Sequence, residues 1–288
     1  RLTDVTGVQT CALPIYAFAR FLMGLLYEAS GTTAGLNDAY ISYQQAYEIY
    51  TRDYQSQYGL GPPALLKENL LAAAQALGSG LLAQARATVG EQAFTGYAER
   101  SRQAQVYVID YRGRAPVKVE SSIVLPLPDG NVTKLAFPAY QARVGRDIAP
   151  RQVVAVQGEV IRARAWLETA QDIGAIAREN LASRRARTLA KALARPAGRY
   201  FLEKSAERSI EKRHGNDGAN WFRFLAGLFN IFVERADLRS WQTLPDQIGI
   251  ARLVLEPGDY DLEVGGRPAG SVSLAAGTVR FVIVRTGD

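Results

Sequence analysis

The sequence predicts an α+β protein, and three observations carry that expectation. Apolar residues recur at helical spacing through the first hundred positions. The period changes near Gln103, where Gln105-Val-Tyr-Val-Ile-Asp-Tyr111 is β-branched and aromatic. Short apolar runs punctuated by Pro257-Gly258 and Gly265-Gly266 then fill the C-terminal end. The expected organisation is a helical domain over residues 16–102 and an α+β domain over 103–288. The latter combines mixed sheet and helix and has a β-rich part at 246–288.

The 288 residues suffice for one large or two ordinary domains. Apolar residues make up 48% and charged residues 22%, which fits a globular chain rather than a disordered one. The net charge of +6 favours acidic partners but does not bear on fold. No stretch approaches the roughly 18 uninterrupted apolar residues of a membrane span. Val5 to Ile15, Val-Thr-Gly-Val-Gln-Thr-Cys-Ala-Leu-Pro-Ile, reads as the in-frame translation of a sequencing-library adapter. Residues 1–15 are therefore expected to be non-native, with the natural chain continuous from near Tyr16. Any leader or lipid-attachment cysteine would lie upstream. Cys11, the one cysteine, falls in this segment.

From Tyr16 two helices are expected, to Gly31 and from Leu36 to Tyr58. Phe18, Phe21, Leu22, Leu25 and Leu26 share one face; Ala39, Tyr43, Ala46, Tyr47 and Tyr50 share another. The pair resembles a tetratricopeptide repeat. Gly24, Tyr27 and Gly31 match its first helix and turn, and Ala39, Tyr43 and Ala46 its second. Small residues let the helices approach while the aromatic fills the facing groove. The chain departs from the repeat in a turn about three residues too long and in Thr51, which stands near the usual closing Pro. Pro62-Pro63 opens a third helix to Leu77, closed by Gly78. A fourth is expected from Leu81 to Glu99. The front half is thus expected to be TPR-like helical hairpins.

Strands are expected at 105–111, 117–126, 132–137, 153–156 and 159–167, with a turn at Pro128-Asp-Gly-Asn131. A helical pattern follows from Asp172 to His214, kinked at Pro196. Residues 178–213 hold eleven Lys or Arg and four Glu, a net of +7, so the rest of the chain is nearly neutral. This is read as a solvated helix face or as a docking face for an anionic surface, with Arg184, Arg185 and Arg187 foremost. Only Tyr200 and Phe201 are aromatic there, which disfavours single-stranded nucleic acid as partner.

Asn220 to Pro245 holds two of three tryptophans and four of ten phenylalanines, and reads as a buried helix. It ends in a charged aromatic collar of Glu234, Arg235, Asp237, Arg239 and Trp241. Asp237, Arg239 and Trp241 form either a ligand cluster or a structural corner. Trp241 is expected to seal the helix against the following strand. Strands at 248–255, 260–264, 271–274 and 279–284 close the chain. Leu255-Glu-Pro-Gly-Asp-Tyr-Asp-Leu262 resembles a hairpin of small extracytoplasmic β-sandwich modules.

Little suggests catalysis. A Ser-His-Asp triad would have to use His214, the single histidine, which lies in a Gly/Asn loop. No pair of His or Cys offers a zinc site. Asn216 and Asp217 lack the ligand series of a calcium loop. Gly265 to Ser271 lacks the P-loop lysine and reads as a turn. No cofactor is expected, and a hydrolase built on Asp237 and Glu234 is the least favoured reading.

Taken with Phe18-Ala-Arg-Phe-Leu, Gly24 and Tyr27, with Ala115-Pro-Val-Lys118, and with Ala236-Asp-Leu-Arg-Ser-Trp-Gln-Thr-Leu-Pro245, the chain resembles an uncharacterised family of bacterial cell-envelope proteins. These are typically lipoproteins with a helical-repeat front half. The resemblance implies a Gram-negative envelope location, on the periplasmic side and anchored by lipid, and no enzyme activity. The expected function is a scaffold or interaction module for other envelope proteins or cell-wall polymer. The alternative is a basic protein acting on a membrane surface or nucleic acid through residues 178–213.

Overall fold

The run Gln105-Val-Tyr-Val-Ile has no polar alternation because its strand is covered on both sides. In the computed structural model, which describes residues 16–126, 132–143, 149–184 and 238–287, β1 (Ala104–Arg112) is buried at every position from Ala104 to Asp110. The protein is a mixed α+β chain with an N-terminal helical region and β sheets. It divides into two units, residues 1–114 with 145–173 and 245–288, and residues 115–144 with 174–244.

The larger unit begins with α1 (Ala17–Ala29) and α2 (Thr33–Ile49). Thr32 caps α2, its hydroxyl accepting from the Gly35 N–H at 3.0 Å. A Cβ on Gly24 would lie 2.3 Å from Cε1 of Tyr43, so only glycine admits that ring. Tyr43 is fully buried and meets Phe21 edge-on at 6.0 Å. The expected helix 36–58 is interrupted by a π-helical turn at Tyr50–Tyr54 before α3 (Gln55–Tyr58). There Thr51 donates its hydroxyl back to the Tyr47 carbonyl at 2.9 Å. Such a turn widens the helix by one residue, and Tyr50, Tyr54 and Tyr58 form an edge-to-face stack along it.

Next come α4 (Ala64–Leu77), α5 (Ser79–Val89) and the short α6 (Tyr97–Arg100). The single helix expected from Leu81 to Glu99 stops at Gly90, whose φ of 84° lies in the left-handed region. The change of period near residue 103 is the passage from α6 into β1, and both lie in the same unit.

Three further strands join β1 in one four-stranded mixed sheet, in the order β10-β1-β7-β6. These are β6 (Glu168–Asp172), β7 (Gln247–Leu255) and β10 (Val279–Thr286) beside β1. β10 runs parallel to β1, and β7 antiparallel. β6 replaces the start of the expected helix at Asp172; the helix itself covers residues 173–184 among those described. Asp172 is held in the sheet by pairing opposite Gln247, whose side-chain amide donates to its carboxylate at 2.9 Å.

A second, antiparallel sheet has the order β5-β4-β8-β9, built from β4 (Gln152–Gln157), β5 (Val160–Trp166), β8 (Gly258–Val264) and β9 (Arg267–Leu274). Its inner face packs Val153, Ala155, Tyr260, Leu262 and Val264 into one core with Val106, Val108, Ala251 and Leu253 of the first sheet. The first sheet's other face meets the helices: Tyr107 receives a hydrogen bond from Asn69 of α4, and Tyr50 donates to the Ala170 carbonyl of β6. The unit is therefore three layers, helices on a sheet on a sheet.

The Pro257-Gly258 turn is not the hairpin that the sequence suggests. β7 and β8 do not pair; the turn carries the chain from one sheet to the other, with Tyr260 buried beneath it and bonded to the Glu256 carbonyl at 2.8 Å. Gly265 and Gly266, at φ 58° and 76°, do form the two-residue hairpin β8–β9, where both positions need positive φ.

In the smaller unit, β2 (Val117–Pro126) and β3 (Val132–Gln141) pair antiparallel, from Val117 opposite Gln141 to Pro126 opposite Val132; the expected turn at Pro128–Asn131 lies outside the described residues. Arg143 donates to the Ala115 carbonyl beside it at 3.2 Å. Of the helix expected over Asn220 to Pro245, residues 220–237 lie outside the described residues, as do the segment 1–15 and the basic run beyond Arg184, while 238–245 is irregular rather than helical. Among the described residues no helix is long and apolar enough to cross a membrane.

Candidate functional site

The residues singled out in the sequence do not form a cluster among those described. Arg184 is exposed at the end of the helix over 173–184. Arg185, Arg187, Asp237, Glu234 and His214 lie outside the described residues. Arg239 and Trp241 are exposed in irregular chain. Trp241 corrects the expectation of a sealing ring: it is 73% exposed, and its indole N–H donates to the Thr243 hydroxyl at 2.6 Å. A partner two residues away satisfies the N–H locally. Backbone pairing carries the chain into β7 instead, through the Asp246 N–H on the Arg112 carbonyl at 3.0 Å.

Two buried polar networks turn inward. In the first, the Arg100 guanidinium of α6 pairs with Glu28 of α1, which also accepts the Tyr43 hydroxyl at 2.7 Å. Asn69 of α4 accepts from Arg100 at 2.6 Å and from Arg252 of β7 at 2.8 Å. Arg252 closes the set on Glu68 at 2.8 Å. Two carboxylates balance two guanidinium groups, and four helices are tied to the sheet. Burial, then the Glu28 carboxylate, holds the Tyr43 hydroxyl well above the ordinary tyrosine range. In the second, buried Asp110 of β1 accepts the Thr286 hydroxyl at 2.7 and 2.9 Å, with Arg112 at 3.6 Å and Arg151 at 3.7 Å. These groups are occupied with one another, and their chemistry is that of cross-links between strands and helices.

The outward-facing chemistry lies on the second sheet. Residues opposite each other across paired strands share a face. Trp166 stands opposite Gln152, and Arg164 opposite Val154, which in turn faces Glu263. Ile161 stands opposite Val156, which faces Asp261, and Asp261 faces Ser271. Asp259 faces Ser273. The partner set, Ala163, Ala165, Val153, Ala155, Tyr260, Leu262 and Val264, lies in the core, so this set lies on the opposite face.

The result is a four-column surface. β5 supplies Trp166, Arg164 and Ile161; β4 supplies Val154 and Val156; β8 supplies Glu263, Asp261 and Asp259; β9 supplies Ser271 and Ser273. Trp166 is 59% exposed and Ile161 44%. Arg164, Asp259, Asp261, Ser271 and Ser273 are exposed as well. Ser271 donates to Asp261 at 2.6 Å, which holds that carboxylate in place. An indole, a guanidinium, a short aliphatic strip, carboxylates and hydroxyls can together stack, donate and accept. At one end of the sandwich a separate open cleft of about 320 Å³ lies among Gln103, Gln157, Arg162 and Glu256.

The strand expected at 159–167 carries a second signal in its alternation. Arg164 and Trp166 alternate with Ala163 and Ala165, and Asp259, Asp261 and Glu263 with Tyr260, Leu262 and Val264. Period-two alternation is the signal of a half-buried strand with one wet face, and it identifies both columns. No family model, curated protein or solved structure matches the chain.

Proposed function

We propose that the protein is a non-enzymatic module of the bacterial cell envelope that works by binding, with cell-wall polymer or other envelope proteins as partners. The observation that carries this reading is the open face of the β5-β4-β8-β9 sheet, which presents an exposed tryptophan with donors and acceptors on a rigid strand framework. The polar groups of the helical layer support it by their direction: Glu28, Asn69, Arg100 and Arg252 serve cohesion. The fit of Tyr43 over Gly24 is the contact a TPR-like helix pair requires and supports that description of α1 and α2. The envelope location, on the periplasmic side with a lipid anchor, belongs to the same proposal and rests on the family resemblance.

Co-sedimentation with purified cell-wall sacculi, beside anionic lipid vesicles, tests the reading. Retention by sacculi that persists in high salt supports a packed, mixed-polarity contact. Binding only to vesicles, falling steeply as salt screens the charges, would transfer the function to the basic segment 178–213.

A further inference from the structure

We propose that the open sheet face takes the N-acetylated glycan strand of the cell wall, with Trp166 as its stacking platform. This rests on the binding reading above and names its ligand class.

Size is the first argument. Four strands span three intervals of about 4.8 Å, roughly 14 Å across, and the seven residues of β8 extend about 20 Å. A face on the order of 300 Å² is well below the about 800 Å² per partner of a stable protein–protein interface. It suits a narrow chain laid across strands better than a folded partner or a second copy.

Charge is the second. Arg164 stands at one edge while Asp259, Asp261 and Glu263 form a column two strands away. A polyanion such as nucleic acid or an acidic membrane meets three carboxylates, and a polycation meets the arginine. A neutral chain rich in hydroxyl and amide groups can use both signs at once, donating to Asp261 and accepting from Arg164.

The third is the order of the columns. Trp166 offers an apolar ring face to the C–H side of a pyranose. Val154, Val156 and Ile161 lie on the same face and provide an apolar strip for acetamido methyl groups. Beyond the valines, Asp261 is already oriented by Ser271 and is ready to accept from ring hydroxyls. Stacking group, methyl strip and acceptors follow one another from strand to strand, in the order an N-acetylated sugar chain crossing the strands would need them.

The test compares the full chain with Trp166→Ala, Asp261→Asn and, as a control, Trp241→Ala, the other described exposed tryptophan. Each is assayed against intact sacculi, against glycan strands stripped of peptide, and against the free peptide stems. Circular dichroism confirms that each variant is folded. The proposal expects the parent to bind sacculi and stripped strands. It expects Trp166→Ala to weaken both by about tenfold or more, the scale of one aromatic contact. Asp261→Asn should weaken them less, and Trp241→Ala should leave them unchanged. Equal binding by a folded Trp166→Ala protein, or binding that follows the peptide stems, would overturn the glycan assignment while leaving the binding module intact. A parent that binds neither sacculi nor strands would overturn the assignment and remove cell-wall polymer from the proposed function.

Discussion

The guanidinium of Arg100 and the carboxylate of Glu28, 72 residues apart in sequence, pair in the interior with side-chain exposures of 0% and 8%. Neither group can shed its charge to water, so each depends on the other. Replacing Arg100 with Leu strands the Glu28 charge and should cost about 3–5 kcal/mol. Replacing both, Glu28→Gln with Arg100→Leu, removes the stranded charge and should recover part of that loss. Denaturant unfolding of the three proteins checks the order.

Gly24 and Tyr43 make the second prediction. Tyr43 cannot swing aside, because its hydroxyl is held by Glu28 and its ring is fully buried. Gly24→Ala should therefore destabilise the chain by about 1–3 kcal/mol, the scale of an overpacked core, despite alanine's better helix propensity. A stability gain from Gly24→Ala in the same unfolding assay would show that the helices can part.

Glu168 sets a pH dependence. Its carboxylate caps α4, accepting the N–H groups of Ala64 and Leu65 just after the two prolines. Burial raises its pKa above the ordinary 4.5; the two N–H bonds pull it down but do not cancel the rise. The folded chain thus holds this proton more tightly than the unfolded chain. The stabilising contribution is complete below 4.5 and is lost as pH rises through the folded value. Urea unfolding between about pH 4 and about pH 7 should show this decline, and Glu168→Gln should flatten it.

Trp241 should tolerate truncation. With the ring 73% exposed, Trp241→Ala should change stability by no more than about 0.5 kcal/mol. A loss of about 3–5 kcal/mol, the cost of emptying a buried aromatic site, would restore the corner role that its position in sequence suggests.

The contrast between Trp166 and Trp241 shows what was legible. Strand positions followed from β-branched runs and Gly/Pro punctuation, and the helices α1, α2 and α4 from apolar spacing and the Pro62-Pro63 start. What escaped were features set by partners distant in sequence. β6 has no strand signal in Glu-Thr-Ala-Gln-Asp and exists because β7 offers it an edge. The sheet change at Pro257-Gly258 looks locally like any tight turn. Arg100 reads as a surface residue until Glu28 and Asn69 close around it. Trp241 follows an apolar, aromatic run, and composition alone suggests burial. The binding face was readable in principle, since alternation in β5 and β8 separates its columns from the core. Only the strand order β5-β4-β8-β9 brings those columns onto one surface.

A glycan stacked on Trp166 would cover its indole, and tryptophan fluorescence reports that contact. In a Trp241→Phe background, soluble N-acetylglucosamine oligomers should shift the emission to shorter wavelength as the exposed indole is covered. The same titration on Trp166→Phe in that background should lose the shift. A shift of equal size without Trp166, or none in its presence at saturating oligomer, would contradict the account.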